Sequence, residues 1–454
     1  MKHRSVKKIG TALLVLMIAS FPLLAGGQQE AAGGGAREEQ QQEMSREAEV
    51  PSVDTGLADQ TPSGELEIFS WWAGTEGPAL EALIARYEET YPETDVINAT
   101  VTGGSGTNAR AVLKTRMLGG NPPDSFQVHA GRELIGTWVT ANRMQDLTPL
   151  FEEEGWTEGV FPPELMDLIS TENGIWSVPL TIHRSNVLWY NSSSLDEWGV
   201  SVPANWDEFL EMAPAIQEQG VTPLVIATNW TVNHLWESVA LSVLGPDQWN
   251  ALWTGDLAFD SDEMVEVWST LDEILEYTND DASSLSWQQA TDRILNGEAA
   301  FNVMGDWAEA YMRNVQNQTP QEDFSWAPSP GTDGEFMLLS DSFGMPVGVP
   351  HPANTYHYLA MVGSQEGQDT FNPLKGSISA RVDSDLAQYG VYSQSAAEDF
   401  RNDTLVGSLA HGAIANEGFM NDFASVMEMF LSNRNPEQAA NAAQAIADQN
   451  NIGN

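Results

Sequence analysis

The sequence predicts an α/β protein of two lobes. Its 454 residues exceed what one hydrophobic core usually supports, so we expect two compact lobes. Beyond an N-terminal leader, short apolar strands alternate with amphipathic helices, the pattern of α/β architecture. Two of these strands end in tryptophan with an acidic residue nearby, and the ligand sites of α/β proteins lie at such strand ends. The same pattern therefore predicts both the fold class and the location of a site.

The composition excludes several classes of protein. A hydrophobic content of 42% with 16 tryptophans excludes a wholly disordered chain. The 65 acidic residues outnumber the 19 basic ones and give a formal charge of −46, which repels nucleic acid and anionic membranes. Such acidity also indicates a salt-rich medium. The chain contains no cysteine, so it forms neither disulfides nor a thiolate metal site.

Residues 1–25 have the form of a secretory signal. Basic residues within the first eight positions precede the apolar run Ile9–Leu24. This run ends in Leu23-Leu24-Ala25-Gly26-Gly27, a bacterial lipoprotein box with glycine at the position of the lipidated cysteine. We therefore expect an exported, extracytoplasmic or periplasmic protein that is not lipidated, with a signal that is either cleaved or retained as a membrane tether. Residues 26–63 are rich in Gly, Gln, Glu and Ala and are predicted to be a disordered linker.

The first strand of the folded body begins at Leu66 and ends in a loop with Trp71, Trp72 and Glu76. The indoles offer flat apolar faces with N–H donors at their edges, and the carboxylate adds an acceptor. Pro78 opens the helix that follows. Because adjacent strand residues point to opposite faces, one of the two tryptophans is expected to pack inward. Two interpretations of this stretch remain: a core strand with two packed tryptophans, or the rim of a ligand site.

Two later segments are predicted to be extended. In strand 122–130, Gln127 and His129 are two residues apart and share a face, where both side chains can donate and accept hydrogen bonds. A structural role for the histidine remains the more common alternative. The segment 174–190 is long and nearly uninterrupted, which favours a single strand that passes between the lobes.

The middle of the chain, residues 202–329, is predicted to be mostly helical. Ser286 is a candidate N-cap, which places Trp287 in the first turn of a helix. The strand that follows ends in Gly305-Asp306-Trp307 and repeats the combination of acid and tryptophan seen in the first strand. Two such strand ends can face each other across a cleft.

Three polar residues in the last third of the chain are further candidates for the ligand site. Asp341 lies in the middle of the apolar strand 336–346, where a carboxylate is costly to bury without partners. Lys375 lies in a predicted turn and is one of only two lysines after the signal. His411 lies in an irregular stretch before the closing helices.

The motifs for catalysis are missing from the sequence. It contains no nucleophile elbow, no zinc-protease histidine pair and no calcium loop, so we predict no catalytic residue, metal site or cofactor. Tryptophan combined with acids, amides, histidine and lysine suits a sugar, because the C–H face packs on an indole while the hydroxyls need donors and acceptors. A secreted glycoside hydrolase with two carboxylates is the main alternative. A peptide or polyamine binder is a third, which explains Lys375 less well.

Longer runs of sequence resemble the bacterial ABC-transporter sugar-binding proteins of the maltose-binding-protein-like class, and among them the glucose-binding proteins. The resemblance extends from about Leu66 to Ile446, and its most specific runs include FSWWAGTEGPALEAL, PPDSFQVHAG, LSWQQATDR, FNVMGDWA, LSDSFGMP and FNPLKGSISARVDSD. It implies a type II periplasmic binding fold, with two α/β lobes joined by a multi-strand hinge near Thr181, Asp341 and Lys375. The implied lobes are residues 64–182 plus 340–373, and residues 183–339 plus 374–454.

The resemblance also implies a site and a function. The sugar-contacting residues would be Trp71, Trp72, Glu76, Gln127, His129, Trp287, Trp307, Asp341, Lys375 and His411. The implied activity is the capture of a monosaccharide between closing lobes and its delivery to the permease of an ABC importer. Glucose is the first candidate, with galactose and mannose not distinguished. The receptor is expected to be monomeric, without a cofactor and not an enzyme.

Overall fold

The computed structural model describes residues 51–103 and 106–453. The predicted signal segment and the predicted linker up to residue 50 lie outside the described residues. The strands, in chain order, are β1 (Gly64–Ser70), β2 (Thr94–Thr100), β3 (Ser125–His129), β4 (Ser170–Thr171), β5 (Gly174–Ile175), β6 (Val178–Pro179), β7 (Thr181–Arg184), β8 (Val187–Tyr190), β9 (Thr222–Leu224), β10 (Ala299–Val303), β11 (Ser325–Pro328), β12 (Glu335–Leu339), β13 (Asp341–Gly344), β14 (Ile378–Ser379) and β15 (Thr404–Gly407).

Helices separate most of these strands. They are α1 (Gly77–Thr90), α2 (Thr107–Leu118), α3 (Thr148–Glu153), α4 (Pro163–Ile169), α5 (Ser192–Trp198), α6 (Trp206–Glu218), α7 (Asn229–Thr254, kinked at Gly245), α8 (Asp262–Leu275), α9 (Trp287–Leu295), α10 (Trp307–Ala310), α11 (Pro352–Gly363), α12 (Gln365–Lys375), α13 (Val391–Asn402), α14 (Glu417–Asn433) and α15 (Pro436–Gln449). None of these described helices is both long and apolar enough to cross a membrane.

The first sheet has the strand order β2-β1-β3-β13-β6. Strand β1 runs parallel to β2 and β3, and its apolar side chains Leu66, Ile68 and Phe69 are buried. Strand β13 runs antiparallel to β3, with Asp341 paired to His129 and Phe343 paired to Gln127. The register of this sheet therefore brings Asp341 beside His129, although the two residues are far apart in sequence.

Two further four-stranded sheets have the orders β11-β8-β10-β9 and β14-β7-β12-β15. The segment 174–190, predicted as one strand, contributes to these three sheets through β6, β7 and β8, and through β5 to a two-stranded sheet with β4. The single-strand prediction is wrong because Pro179 has no N–H for a ladder, and the chain turns again at Ser185 and Asn186.

Two other local predictions also need correction. The segment 336–346 divides at Ser340 into β12 and β13, so Asp341 begins a strand rather than lying in the middle of one. Lys375 ends helix α12 instead of lying in a turn. Gly376 adopts φ +83° after it and its N–H donates to the Asn372 carbonyl, so the Pro-Leu-Lys-Gly sequence is the last turn of a helix and its C-cap.

The folded body begins earlier than predicted. Within the predicted linker, Ser52 pairs with Asp146, and Val53 and Leu57 are buried against the core. Residues 51–63 therefore belong to the folded body, because Val53 and Leu57 bury their apolar side chains against its core.

The chain crosses between the first sheet and the sheet β14-β7-β12-β15 at several adjacent places. It crosses from β6 to β7 at Leu180 and from β12 to β13 at Ser340. A third passage leads from α12, which packs on α1, to β14. These crossings form a multi-strand hinge. Leu339, Asp341 and Lys375, which flank two of the crossings, line one cavity.

Candidate functional site

A cavity of about 460 Å³ lies where the ends of these strands and helices converge. Of the predicted site residues, all except Gln127 line it: Trp71, Trp72, Glu76, His129, Trp287, Trp307, Asp341, Lys375 and His411. Residues that the sequence prediction did not include also contribute, among them His183, Trp230, Gln288 and Leu339. A volume of this size is typical of small-molecule sites.

Trp71 and Trp72 play different parts. Trp72 is only 1% exposed and packs against Phe371 and Phe343, with ring centroids 4.8 and 6.0 Å away. Trp71 is partly exposed and lies across His129 at a centroid distance of 5.0 Å. Trp72 is therefore the tryptophan that packs inward, and Trp71 presents most of its indole to the cavity.

Gln127 lies behind the cavity rather than in its wall. The side chain is fully buried, and its Oε1 accepts hydrogen bonds from Ser70 Oγ (2.6 Å) and the Trp71 N–H (3.2 Å). Its Nε2 donates to Asp341 Oδ1 at 2.7 Å. Gln127 thus supports Asp341 and the backbone of Trp71 from behind the cavity wall.

Lys375 is a buried cation at the edge of the cavity. Its Nζ donates to Glu76 Oε1 at 2.9 Å and lies 5.8 Å from the ring centroids of both Trp72 and Trp307. Only 4% of the residue is exposed. The charge is stabilised by the carboxylate and by the faces of two indoles, and the ammonium remains a potential donor to a ligand.

Asp341 is an ionised acceptor in the cavity wall. Its Oδ1 lies 3.8 Å from His129 Nε2 and its Oδ2 lies 3.4 Å from His183 Nε2. Burial acts to raise its pKa, but the hydrogen bond from His183 and the charges of both histidines and Lys375 hold the pKa of Asp341 at about 2. This carboxylate is therefore available to accept hydrogen bonds from a ligand over the whole physiological range.

Among the cavity residues that the sequence prediction missed, His183 and Trp230 carry a polar ring and an indole. His183 is fully buried in β7, and its Nδ1 hydrogen-bonds to Asp306 Oδ1. Burial lowers the pKa of His183, but the charge and the hydrogen bond of Asp306 outweigh it and raise this pKa above its usual value. The sequence signal that could have identified His183 is its position as a histidine within the apolar run 178–184. Trp230 lies in the first turn of α7, where the sequence shows no strand end to mark it.

The mouth of the cavity is bridged by a hydrogen bond. Gln288 Nε2 donates to Thr75 Oγ1 at 3.2 Å, which joins the start of α9 to the loop before α1. As predicted, Ser286 caps α9, and it forms a reciprocal capping box with Gln289. This cap fixes the first turn of α9, and the indole of Trp287 packs edge-on against Tyr311.

Behind His411 lies the one group of histidine and acidic side chains, among the described residues, whose geometry suits a metal ion: His234, Glu237 and His411. Most of its polar atoms are hydrogen-bonded within the group or to neighbouring serines and backbone, while His234 Nε2 has no hydrogen-bond partner. His234 Nδ1 and His411 Nε2 share a hydrogen bond of 3.1 Å, and Glu237 accepts hydrogen bonds from Ser185, Ser408 and the Ala410 N–H. Burial lowers the pKa of His411 well below its usual value, so it is neutral. The group is a hydrogen-bonded support for His411.

The cavity combines aromatic faces with fixed donors and acceptors. The carboxylates that line it in the described part of the chain are Glu76, which is paired with Lys375, and Asp341, which is ionised. A glycoside hydrolase needs one carboxyl group that stays protonated to act as general acid. The arrangement favours binding a polar ligand with one or more apolar faces over cleaving it.

The fold and this cleft define a class, the two-lobed solute receptors of the type II fold. Residues 71–369 match the model of the bacterial extracellular solute-binding proteins. Because this match covers more than half of the chain, the protein belongs to that family, whose members are binding proteins rather than enzymes.

Relatives from several organisms align over most of the chain. An uncharacterized ABC transporter extracellular-binding protein of Pyrococcus horikoshii is 32% identical over 83% of this chain and 86% of its own length. A probable sugar-binding periplasmic protein of Mesorhizobium japonicum is 30% identical over 81% and 89%. Two relatives are named for particular sugars: a xylose/arabinose-binding protein of Haloferax volcanii (28%, over 85% and 85%) and a glucose-binding protein of Saccharolobus solfataricus (26%, over 68% and 59%).

Solved structures agree on the fold. The structure of a bacterial solute receptor superposes with a TM-score of 0.74 and 19% identity, over 86% of this chain and 98% of the other. At this level of identity the likeness concerns the architecture alone.

Proposed function

We propose that this protein is the sugar-binding component of an ABC importer and that it binds one monosaccharide, with glucose the first candidate. The observation that carries the proposal is the cavity itself, whose lining combines the indoles of Trp71, Trp287 and Trp307 with the ionised Asp341 and the ammonium of Lys375. Indole faces pack on the C–H face of a pyranose, and the charged groups make strong hydrogen bonds to its hydroxyls.

Each polar group has a defined part in this proposal. Asp341 accepts from one or two hydroxyls, because its carboxylate is ionised. Lys375 and His129 donate, and Glu76 shares its acceptor capacity between Lys375 and the sugar. A closed cavity removes water from the ligand, so every buried hydroxyl needs such a partner, and a ligand without hydroxyls leaves these groups unpaired.

The choice of sugar is the finer part of the proposal. The names of the relatives point to glucose in one case and to xylose or arabinose in another. Glucose and xylose present the same ring and differ by the hydroxymethyl group, whereas galactose and mannose differ from glucose in one hydroxyl orientation. We favour glucose because several runs of this sequence resemble those of glucose-binding proteins.

Calorimetric titration of the purified protein tests the function. Glucose, galactose, mannose, xylose and arabinose are titrated separately, and at least one is expected to bind saturably with a micromolar or tighter Kd. The recovered sugar is then analysed for chemical change. Absence of binding by all five sugars contradicts the proposal, and cleavage of glycosides on incubation supports the hydrolase instead.

A pair of tryptophan variants tests the site. Trp287→Ala is expected to weaken sugar binding at least tenfold because stacking is lost, about 1.4 kcal/mol or more. Trp326→Ala is the matched control, since Trp326 is a partly buried tryptophan that packs on Trp189 and Tyr392 and does not line the cavity. Equal affinity of Trp287→Ala and the unmodified protein removes Trp287 from the site.

A further inference from the structure

Five titratable side chains follow one another, three of them in the wall of the cavity and one behind it at each end. Glu133 hydrogen-bonds to His129 Nδ1 at 2.8 Å, and His129 Nε2 faces Asp341 at 3.8 Å. On the other side of Asp341, His183 Nε2 lies 3.4 Å away, and His183 Nδ1 hydrogen-bonds to Asp306. All five residues are buried. Asp341 is thus held between two imidazoles, each with a buried carboxylate behind it.

His183 has a carboxylate at each of its ring nitrogens. A neutral imidazole carries one N–H, so it can donate to Asp306 or to Asp341 but not to both. The other carboxylate would then face a lone pair in a buried environment, which is unfavourable. The 3.4 Å between His183 Nε2 and Asp341 Oδ2 is an ion-pair distance without the geometry of a hydrogen bond. Only the positively charged imidazolium interacts favourably with the carboxylates on both sides, and this arrangement indicates that His183 carries a positive charge.

The carboxylate of Asp306 is held in place beside His183. It is fully buried, and its second carboxylate oxygen accepts the backbone N–H of Arg184 at 3.0 Å. It lies at the end of β10, directly before α10, and does not line the cavity. Asp306 therefore reaches a ligand only through His183.

We propose that Asp306 is a positioning residue of the sugar site: it keeps His183 doubly protonated, so that a cation stands behind Asp341 while the sugar's hydroxyls bind to it. This role rests on the proposed sugar-binding function, and nothing in it requires Asp306 to contact the sugar. The charge on His183 keeps Asp341 ionised and orients its oxygens.

The other charged and titratable groups around His183 come from three elements. Lys375 of α12 adds positive charge, which opposes protonation of His183, and His411 of the loop after β15 is neutral. Asp341 of β13 favours protonation. Without the Asp306 carboxylate, burial and Lys375 act together against the charged imidazole, and Asp341 alone favours it.

The substitution Asp306→Asn tests the proposal. The Asn Oδ1 can still accept the Arg184 N–H, which turns its amide toward His183 Nδ1 as a donor, so His183 is left neutral with one proton on Nε2. Asp341 then loses the adjacent cation. We expect sugar affinity to weaken about tenfold at neutral pH. In a pH series we also expect the acid-side loss of affinity to begin about one pH unit higher than in the unmodified protein, because Asp341 protonates more easily.

Asp124→Asn is the matched control. Asp124 is also fully buried, hydrogen-bonds to a histidine Nδ1 (His351, 2.9 Å) and accepts a backbone N–H (Glu67, 2.8 Å), but neither Asp124 nor His351 lines the cavity. It is expected to reduce stability while leaving the sugar Kd and its pH profile unchanged. A shift in the acid limb for both variants, or for neither, overturns the proposal.

Nitrogen-15 NMR of the histidine side chains gives a readout that needs neither sugar nor a folded variant. In the unmodified protein at neutral pH, His183 is expected to show both nitrogens protonated. A neutral His183 there overturns the proposal, even if Asp306→Asn fails to fold. If none of the sugars binds but His183 is charged, the proposed function fails, while the control of His183 by Asp306 stands.

Discussion

At the scale of single residues, substitutions of the two adjacent tryptophans are expected to have different effects, one on sugar affinity and the other on stability. Trp71→Ala removes a partly exposed indole from the cavity, so sugar affinity should fall with little change in the unfolding free energy. Trp72→Ala empties a packed site beside Phe371, and a loss of about 3–5 kcal/mol is expected from the cavity it leaves. Urea unfolding and calorimetry on both variants check this. A loss of stability that is the same for both would contradict the division of roles.

Glu237 provides a pH-dependent test, also at the residue scale. Burial raises its pKa from the usual 4.5 to about 7, against hydrogen bonds from Ala410, Ser408 and Ser185. A raised folded pKa means that its contribution to stability is complete below about pH 4.5 and is lost as pH rises through about 7. The total is on the order of 3 kcal/mol.

We therefore compare the unmodified protein with Glu237→Gln by urea unfolding at about pH 5 and about pH 8. The glutamine cannot ionise, so the variant should gain stability relative to the unmodified protein as pH rises. Neutral His234 and His411 adjoin Glu237 and are not expected to titrate in this interval, since burial lowers the pKa values of both. A stability difference that is independent of pH would be inconsistent with the raised pKa.

The sequence identifies a site residue only when the residues next to it in the chain already indicate its chemistry. Trp71, Glu76 and Trp307 stand out because tryptophan and acid coincide at strand ends. His183 does not, because its importance comes from Asp306 and Asp341, which are remote in sequence and meet it only through sheet pairing. Gln127 shows the converse: its residue type suits hydroxyl recognition and it shares a face with His129. Its amide is nevertheless occupied behind the wall by Ser70, the Trp71 backbone and Asp341.

At the scale of secondary-structure elements, the end of β10 depends on a glycine. A Cβ on Gly305 would lie 2.2 Å from the ring of Trp307, so Gly305→Ala must push the indole from its place in the cavity wall. We expect a clear loss of sugar affinity. Gly390→Ala is the control, because a Cβ there meets only side-chain atoms at 3.5 Å or more. Unchanged affinity in Gly305→Ala would show that the position of Trp307 is not critical.

The elements that sequence analysis misplaced lie at the crossings between sheets. Periodicity shows that 174–190 and 336–346 are extended, but a strand that leaves one sheet and enters the next keeps the same apolar pattern. The breaks at Leu180 and Ser340 arise from pairing with partners such as β3 and β12, which the local sequence does not specify. Helix starts depend on local signals and were predicted well: Pro78 lies in the first turn of α1, and Ser286 caps α9.

At the scale of the whole molecule, the net charge of −46 opposes the compact state through self-repulsion. Salt screens this repulsion, since the Debye length falls from about 10 Å at 0.1 M to about 3 Å at 1 M. We expect Tm to rise with NaCl over this range, mostly at its lower end. Thermal unfolding in sorbitol of equal osmolality is the control. An equal rise in sorbitol would exclude screening as the cause.

The hydrogen bond between Gln288 and Thr75 has a practical consequence, because it spans the mouth of a cavity in a chain without cysteine. A thiol introduced by Gln288→Cys would be unique in the protein, so maleimide chemistry would attach a single dye at the rim. Any movement of α9 against the loop before α1 would change the surroundings of that dye. The molecule is therefore well suited to become a reagentless optical sensor for the sugar it captures.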